Sequence, residues 1–238
     1  MIKRKNIVFI SLVLIITVCA TFYGVSIKKT FIDNSDGKVH MKEGKDRILQ
    51  IYDDKYYSAY FFDNMIKDYR NLYDKSNLVA VIKIDGDRVN KSQTLVSDVK
   101  VLKVIKKPNF KIGNHIKVYE PSSFLYNDTY EAFDGYNIME PEKEYIMFLE
   151  TLLKDKDYKG EKHKCGFKPV STLYSKYSIE NDEKFEIVSS EKVENQQLSY
   201  DDIKNFAIIT KSNEEIQKYK TLRSEIIPII KHNVNLER

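Results

Sequence analysis

The amino-acid sequence predicts a mixed α+β protein that is mainly β, with a small barrel between an N-terminal membrane segment and a C-terminal helix. Between residues 78 and 188, short runs rich in β-branched and aromatic residues alternate with turn residues, a pattern typical of strands. One of these runs changes the phase of its apolar residues, which predicts a bent strand. Apolar residues at helical spacing on either side of this region predict the flanking helices.

The first 27 residues predict a membrane anchor or a signal peptide. Residues 1–6 form a short basic head, and residues 7–27 carry no charge, a run long enough for a helix to span a bilayer core of about 30 Å. The basic head favours an N-terminus on the cytoplasmic side. Three outcomes stay open: an uncut anchor, cleavage at the small-residue pattern Val18-Cys19-Ala20, or a lipid attached to Cys19.

The rest of the chain is expected outside the cytoplasm of a bacterial cell, either membrane-anchored as a single-pass protein or secreted after cleavage. Residues 28–46 are polar and predict a tether that lifts the folded part off the membrane. Residues 47–195 contain the predicted strands and form the barrel domain with its leading helix. Residues 196–238 change to helical patterning and form a C-terminal helical segment.

The charge of the chain beyond residue 27 argues against a nucleic-acid partner. The whole chain has a formal net charge of +4, of which Lys3, Arg4 and Lys5 supply three, leaving +1 (4 − 3) for the remainder. A near-neutral surface lacks the basic field on which nucleic-acid binding depends. The same part of the chain has Cys165 as its one cysteine, so its stability must come from burial rather than from an internal disulfide.

The barrel domain begins with a predicted helix and strand. Apolar residues recur every three or four positions from Phe62 to Tyr73, which predicts a helix over residues 62–75. Residues 78–84 are then rich in β-branched side chains and predict a strand, which the sequence Asp-Gly-Asp at residues 85–87 is expected to end in a turn.

The next predicted strand, within residues 94–105, indicates that the sheet closes on itself. Val99 and Val101 fall on one face, whereas Leu102 and Val104 fall on the other. A change of phase within one strand is what a β-bulge produces, and a bulge lets a long strand bend from one sheet into another. Short, strongly bent strands favour closure into a small barrel, because closure removes exposed strand edges.

The later elements follow from the same patterns. Residues 116–118 and 145–149 predict two further strands, the second apolar on both faces and therefore central. Further strands are expected within residues 172–179 and 184–188. Residues 198–203 and 212–215 carry helix-capping patterns, and Pro228 is expected to bend or end the last helix. An apolar stripe along that helix consists of Ile216, Tyr219, Leu222, Ile226 and Ile230.

The order of these strands and turns resembles an uncharacterised family of secreted or membrane-tethered bacterial proteins. The resemblance covers about residues 62–190 and implies an OB-like β-barrel domain in a cell-surface setting, without any active site. The chain departs from the family pattern at residues 157–168, which form a basic, glycine-containing insertion. The segments that carry the resemblance are residues 78–82, 99–106, 113–121, 135–136 and 144–149.

The sequence contains no pattern that predicts catalysis, a metal site or a cofactor. His163 and Cys165 are the one close histidine–cysteine pair, and His40, His115 and His232 are too scattered for the three or four ligands that zinc requires. There is no Gly-x-Ser-x-Gly turn for a serine nucleophile. The protein is therefore predicted not to be an enzyme, with no catalytic or metal-binding residue.

The candidate binding surface is the long connection between Glu120 and Glu144. A long connection without regular structure is usually functional or packed against its domain. Barrels of the OB type bind extended ligands through adjoining loops, and aromatic rings stack on such ligands. The alternative is that the rings pack on the barrel and close its end. The predicted binding residues are Phe124, Tyr126, Tyr130, Phe133 and Tyr136.

These observations favour a non-enzymatic, membrane-tethered binding module on a bacterial cell surface. Its expected partners are the membrane, through residues 7–27, and an envelope protein, a peptide or a glycan. One alternative is a secreted hydrolase whose carboxylates converge only in the fold. Another is a structural accessory subunit that docks through its C-terminal helix, which would require the apolar stripe of that helix to be exposed.

Overall fold

The computed structural model describes residues 14, 16–21, 47–53, 55–91, 93–109, 111–125, 128–152, 166–180 and 182–235. The chain divides into two compact units, Met1–Asp36 and Gly37–Arg238. In the first unit, residues 16–21 are helical and exposed, and the Cys19 thiol is exposed. Most of the predicted membrane segment and the whole predicted tether lie outside the described residues. Among the described helices, none is both long enough and apolar enough to cross a membrane.

The second unit is mixed α+β and mostly sheet, which confirms the predicted fold class at this level. Its strands are β1 (Ile48–Tyr52), β2 (Leu78–Lys91), β3 (Thr94–Lys106), β4 (His115–Glu120), β5 (Ser122–Leu125), β6 (Thr129–Phe133), β7 (Glu144–Thr151), β8 (Gly166–Pro169) and β9 (Lys176–Ser178). Its helices are α1 (Lys55–Phe61), α2 (Tyr69–Lys75), α3 (Ser190–Glu194), α4 (Tyr200–Ile203) and α5 (Asn213–Asn235).

Five strands are hydrogen-bonded in a closed circuit, here called the strand ring. β2 pairs antiparallel with β3 and with β7, and β3 pairs antiparallel with β4. β8 lies parallel to β4 and antiparallel to β7, so it joins the two ends of the circuit. The order β7, β2, β3, β4 is that of a Greek key, because β7 returns through a long connection to lie beside β2. β9 extends the sheet from β7.

The predicted bulge in β3 is confirmed. Val81 and Ile82 of β2 are opposite Lys103 and Val101, which leaves Leu102 without a partner in the ladder. A second shift between Val79 and Ala80 leaves out Ile105 in the same way. These extra residues increase the local bend of the strand. The change of apolar phase in the sequence therefore marks the place where β3 curves around the ring.

The predicted turn at residues 85–87 is wrong, because β2 continues through it to Lys91. The pairing with β3 is irregular between Ile84 and Arg88, so the extra residues are absorbed as a distortion within the strand. Gly86 serves close packing here, since a Cβ atom at this position would lie 2.9 Å from the Cβ atom of Asp98. The strand resumes because Arg88 is buried and bonded to β4.

The predicted helix over residues 62–75 is only half right. Residues 62–67 have no regular structure, and helix α2 begins at Tyr69. The Asp68 carboxylate accepts a hydrogen bond from the Asn71 N–H at 2.8 Å, which caps the helix at that point. Residues 62–67 instead form an irregular segment, in which the Asp63 N–H donates to the Val170 carbonyl at 2.8 Å. Residues 62–65 of this segment line the site described below.

Strands β2 and β7 are buried on both faces, which confirms the prediction that residues 145–149 are central. Alternate residues such as Val79 and Phe148 face a core shared with α5, whereas Ala80 and Met147 face a core inside the strand ring. A third core lies between the sheet β1-β6-β5 and residues 188–209. This three-stranded sheet is open and is separate from the ring.

The predicted C-terminal helix and its apolar stripe are confirmed, and all five stripe residues are buried against the first core. The helix continues past Pro228 to Asn235, so Pro228 does not end it. The capping box of α4 is complete between Ser199 and Asp202. Two further strands were expected within residues 172–179 and 184–188. In the first range only residues 176–178 form a strand, and the second contains a single isolated bridge at Lys184. Strand β8 was not predicted.

Candidate functional site

The aromatic residues predicted to bind a ligand are packed into the protein. Phe124, Tyr130 and Tyr136 are at most 1% exposed and Phe133 is 7% exposed, while Tyr126 lies outside the described residues. Much of the stretch is regular, because it contains the hairpin β5–β6. The four described rings therefore form no exposed stacking surface, and their burial matches the alternative that they pack down.

Two of these rings are buried because Tyr200, which is distant in the sequence, packs against them. Tyr200 of α4 packs edge-on against both Tyr130 and Phe124, at centroid distances of 4.8 and 5.5 Å. The Tyr136 hydroxyl donates to the Glu120 carboxylate at 3.1 Å. Burial raises the pKa of Tyr130 and of Tyr136, so both phenols stay protonated inside the core.

A cavity with a volume of about 800 Å³ forms an open cleft among the described residues. We call it the lateral cleft. Residues 58–65 form one wall, and the rest of the lining, here called the other wall, consists of Lys75, Asp134, Glu150, Val170, Leu173, Tyr174 and Glu215. Its volume is within the range of ligand-binding clefts. A smaller cavity of about 220 Å³ adjoins it and shares Asp134, Leu173 and Glu215.

The outer rim of the lateral cleft is apolar and exposed. Tyr60 and Met65 are each 84% exposed, and Phe61 is 40% exposed. Three large apolar side chains within six residues form a patch rather than scattered exposure, and such patches usually mark an interaction surface. The patch exists because residues 62–67 leave the helical path, which turns Met65 outward while Ile66 enters the core.

Two of the carboxylates of the cleft are paired with lysines. Asp63 lies 2.5 Å from Lys75, and Glu150 lies 2.6 Å from Lys168. Partial burial alone would raise the pKa of Asp63, but the Lys75 ammonium and the Met65 N–H outweigh burial, so the pKa of Asp63 is lowered. Lys168 also donates to the Phe61 carbonyl at 2.5 Å and holds that end of the rim in place.

Two further carboxylates line the cleft, those of Asp134 and Glu215. Asp134 and Glu215 line it from different elements, and no ion pair joins either of them to a lysine or arginine among the described residues. Glu215 accepts a hydrogen bond from the Thr210 hydroxyl. The neighbouring Tyr174 has a raised pKa because of burial, with further contributions from Glu215, Glu214 and Asp134. Asp134 and Glu215 therefore both lie close enough to Tyr174 to raise its pKa.

Asn64 connects the two walls of the cleft. Its amide NH₂ group donates to Asp134 and to the Thr172 hydroxyl, the latter at 2.8 Å. Its carbonyl oxygen accepts from the Ser171 hydroxyl at 2.5 Å and from the Thr172 N–H at 3.1 Å. Ser58 adds a hydrogen bond to Asp134 at 2.5 Å. The Asn64 side chain thus holds the irregular segment to residues 134 and 171–172, in addition to the backbone hydrogen bond from Asp63 to Val170.

Replacing Asn64 by alanine is expected to lower the free energy of unfolding by about 2–4 kcal/mol, because it leaves several polar groups of Asp134, Ser171 and Thr172 without partners. Chemical denaturation of the full-length chain in mild detergent measures this loss. Asn71→Ala is the matched control, since the Asn71 side chain makes one long hydrogen bond to the Lys67 N–H at 3.3 Å. Equal losses in the two variants would contradict the connecting role of Asn64.

The hydroxyl groups of the cleft are not arranged for nucleophilic catalysis. Ser58 is bonded to a carboxylate, and the Ser171 hydroxyl is bonded to an amide oxygen and two backbone N–H groups. No histidine or lysine is bonded to either serine in the part of the chain that the structure describes. Within the same residues, no three His, Cys, Asp or Glu side chains are placed to hold a metal ion. His163 and Cys165 lie outside the described residues.

The chain matches no protein-family model, no curated protein and no solved structure. The resemblance to a family of membrane-tethered bacterial proteins therefore stays a prediction. The cleft, which the sequence did not predict, had one signal in the sequence: the run Tyr60-Phe61-Phe62 followed by Met65. The predicted helix starts at Phe62, whereas helix α1 ends at Phe61 and residues 62–67 are irregular, so the spacing does not reveal the exposed surface.

Proposed function

We propose that the protein is a non-enzymatic, membrane-tethered binding module that works outside the cytoplasm of a bacterial cell and binds its partner in the lateral cleft. The observation that carries this proposal is the exposed apolar rim of Tyr60, Phe61 and Met65 around a negatively charged cleft of about 800 Å³. An exposed apolar patch of this kind is costly unless it is covered by a partner.

The second part of the proposal concerns the fold: the strand ring is an OB-like barrel. Five strands, a Greek-key order and a bulged, curving strand all support this assignment. In such barrels, ligands contact one face and the adjoining loops. The lateral cleft lies beside the ring, where residues 58–65 approach Glu150 at the end of β7.

The third part concerns location. Residues 7–27 are uncharged and follow a basic head, which supports a segment inserted in the membrane with the remaining chain outside. An anchor of this kind raises the effective concentration of the module near other envelope components, so even a weak cleft could be occupied. The expected partner is therefore a component of the same envelope.

The alternative of a docking subunit loses its main support. It required the stripe of the C-terminal helix to be exposed, whereas Ile216, Leu222, Ile226 and Ile230 are at most 3% exposed. The hydrolase alternative has carboxylates in the cleft, but Asp63 and Glu150 are paired with lysines, and Asp134 and Glu215 accept hydrogen bonds from the Ser58 and Thr210 hydroxyls. The geometry favours binding over both.

A photo-reactive amino acid in place of Met65 is expected to form a defined covalent adduct in intact cells that naturally contain the protein. The same substitution at Ile187 is the control, because Ile187 is 57% exposed and does not line the cleft. Mass determination of the adduct identifies its class. Tyr60→Ala is expected to reduce the adduct at position 65, since Tyr60 belongs to the same rim.

Adducts of equal yield at positions 65 and 187 would show random contact and would overturn the proposal. Protease added to intact cells tests the location, because the adduct is expected to be digested from outside. An adduct that is digested only after lysis would contradict an extracytoplasmic position.

A further inference from the structure

We infer that the ligand of the lateral cleft is a peptide segment of a partner protein in which an arginine or lysine is flanked by large apolar residues. This inference rests on the proposed function and adds the chemistry of the ligand. It depends on two features that line one cleft: a pair of carboxylates, Asp134 and Glu215, and an exposed apolar rim.

The carboxylates of Asp134 and Glu215 favour a ligand with a positively charged side chain. Asp134 and Glu215 line both the lateral cleft and the smaller cavity that adjoins it, so they flank the passage between the two. Of the nearby lysines, Lys75 and Lys168 pair with Asp63 and Glu150, and Lys218 lies over the Tyr174 ring at 4.8 Å. Lys211 lines the smaller cavity, but among the described residues it forms no ion pair with Asp134 or Glu215.

A cationic side chain that entered this passage would form charge-assisted hydrogen bonds, which are stronger than neutral ones. Asp134 already accepts bonds from Ser58, Asn64 and Thr172, which fix its orientation before any ligand arrives. A carboxylate held in this way loses little freedom on binding, and this lowers the cost of association. An acidic ligand would meet repulsion at the same place.

The rim favours a peptide over a sugar. Methionine is flexible and adapts to different apolar side chains, and both methionine and aromatic residues are enriched at protein interfaces. Met65 is as exposed as Tyr60, and the two lie on the same wall as Phe61. A sugar ring stacks best on a flat, rigid surface, which an exposed methionine does not provide. The apolar neighbours of the basic residue would cover this rim.

The test uses the full-length protein in mild detergent and a pool of short synthetic peptides with a central arginine between leucine, tyrosine or phenylalanine residues. Peptides from this pool are expected to bind, and replacing arginine by citrulline or glutamate is expected to weaken binding by at least tenfold. Glu215→Gln is expected to cause a similar loss, because it removes the charge and keeps an acceptor for Thr210. Met65→Ser tests the rim independently.

Glu194→Gln is the matched control, since Glu194 is exposed on α3 and does not line the cleft. Equal affinity for arginine and citrulline peptides, or no binding by any peptide of the pool, would overturn the inference. Neutral oligosaccharides that bind with the same dependence on Met65 would overturn it while leaving the proposed function intact. Self-association lost in Met65→Ser would identify a second copy as the occupant and would also overturn it.

Discussion

Replacing Glu120 by alanine is expected to lower the free energy of unfolding by about 3–5 kcal/mol, because it removes the carboxylate that pairs with the buried Arg88 guanidinium. Arg88 is 2% exposed and Glu120 is fully buried. Their closest atoms, Nη2 and Oε1, are 2.6 Å apart. Chemical denaturation of the full-length chain in mild detergent, followed by circular dichroism, measures the change.

The size of this effect follows from how completely the carboxylate is bonded. One oxygen of Glu120 accepts from Arg88 and from the Ser97 hydroxyl at 2.5 Å, and the other accepts from the Met139 N–H at 2.7 Å and from Tyr136. The pair therefore joins β2, β3 and β4 to the chain that leads into β7. A buried network that is fully satisfied is costly to break at any member.

A double variant measures the interaction between Arg88 and Glu120 separately from the contribution of each side chain. Arg88→Met combined with Glu120→Leu removes both charges, so its loss is expected to be smaller than the sum of the losses of the single variants. The exposed pair of Lys83 and Glu142, 3.4 Å apart, is the control, and Glu142→Ala is expected to cost less than about 1 kcal/mol. Additive losses at Arg88 and Glu120 would show that the two charges are not coupled.

The bulge in β3 is predictable from the sequence, whereas the buried pair of Arg88 and Glu120 is not. The curve of β3 was predictable because Val99, Val101, Leu102 and Val104 lie within one strand, and their order alone reveals the change of phase. The partner of Arg88 is 32 residues away in the chain. Periodicity carries no information on such a pair, so the Asp-Gly-Asp sequence next to Arg88 was interpreted as the end of a strand.

The same limit applies to the candidate site. The sequence predicts the aromatic residues of the 120–144 stretch as a binding surface, with packing as the alternative. The burial of Phe124 and Tyr130 involves Tyr200, which comes from a later helix. The lateral cleft collects Tyr60, Asp134 and Glu215 from segments far apart in the sequence. The apolar spacing from Phe62 onward predicts a continuous helix, whereas the bonds of Asn64 to Asp134, Ser171 and Thr172 hold that segment in an irregular path.

Lys176 is a second buried charge, and it differs from Arg88 because no carboxylate is bonded to it among the described residues. Its ammonium group donates to the carbonyl oxygens of Asn137 and Ile138 at 2.5 and 3.2 Å. It lies 5.3 and 5.2 Å from the ring centres of Tyr136 and Tyr145. Burial lowers the pKa of Lys176 from 10.5 to about 8, an effect that nearby carboxylates reduce without cancelling.

The free energy of unfolding is therefore expected to increase as the pH rises from about 8 towards 10. In this range the native protein has released the proton of Lys176 while the unfolded chain still holds it, so the unfolded state binds more protons and stability rises with pH. The difference between 10.5 and about 8 corresponds to about 3 kcal/mol. Denaturation curves at several pH values measure the increase.

The increase is expected to end near pH 10, because buried tyrosines then act in the opposite direction. Burial raises the pKa of Tyr130, Tyr177 and Tyr219, so these phenols ionise first in the unfolded chain and stability falls again. Lys176→Met is expected to abolish the increase between pH 8 and 10. Lys192→Met, on the exposed face of α3, is expected to keep it. A rise that survives in Lys176→Met would mean that another group releases the proton.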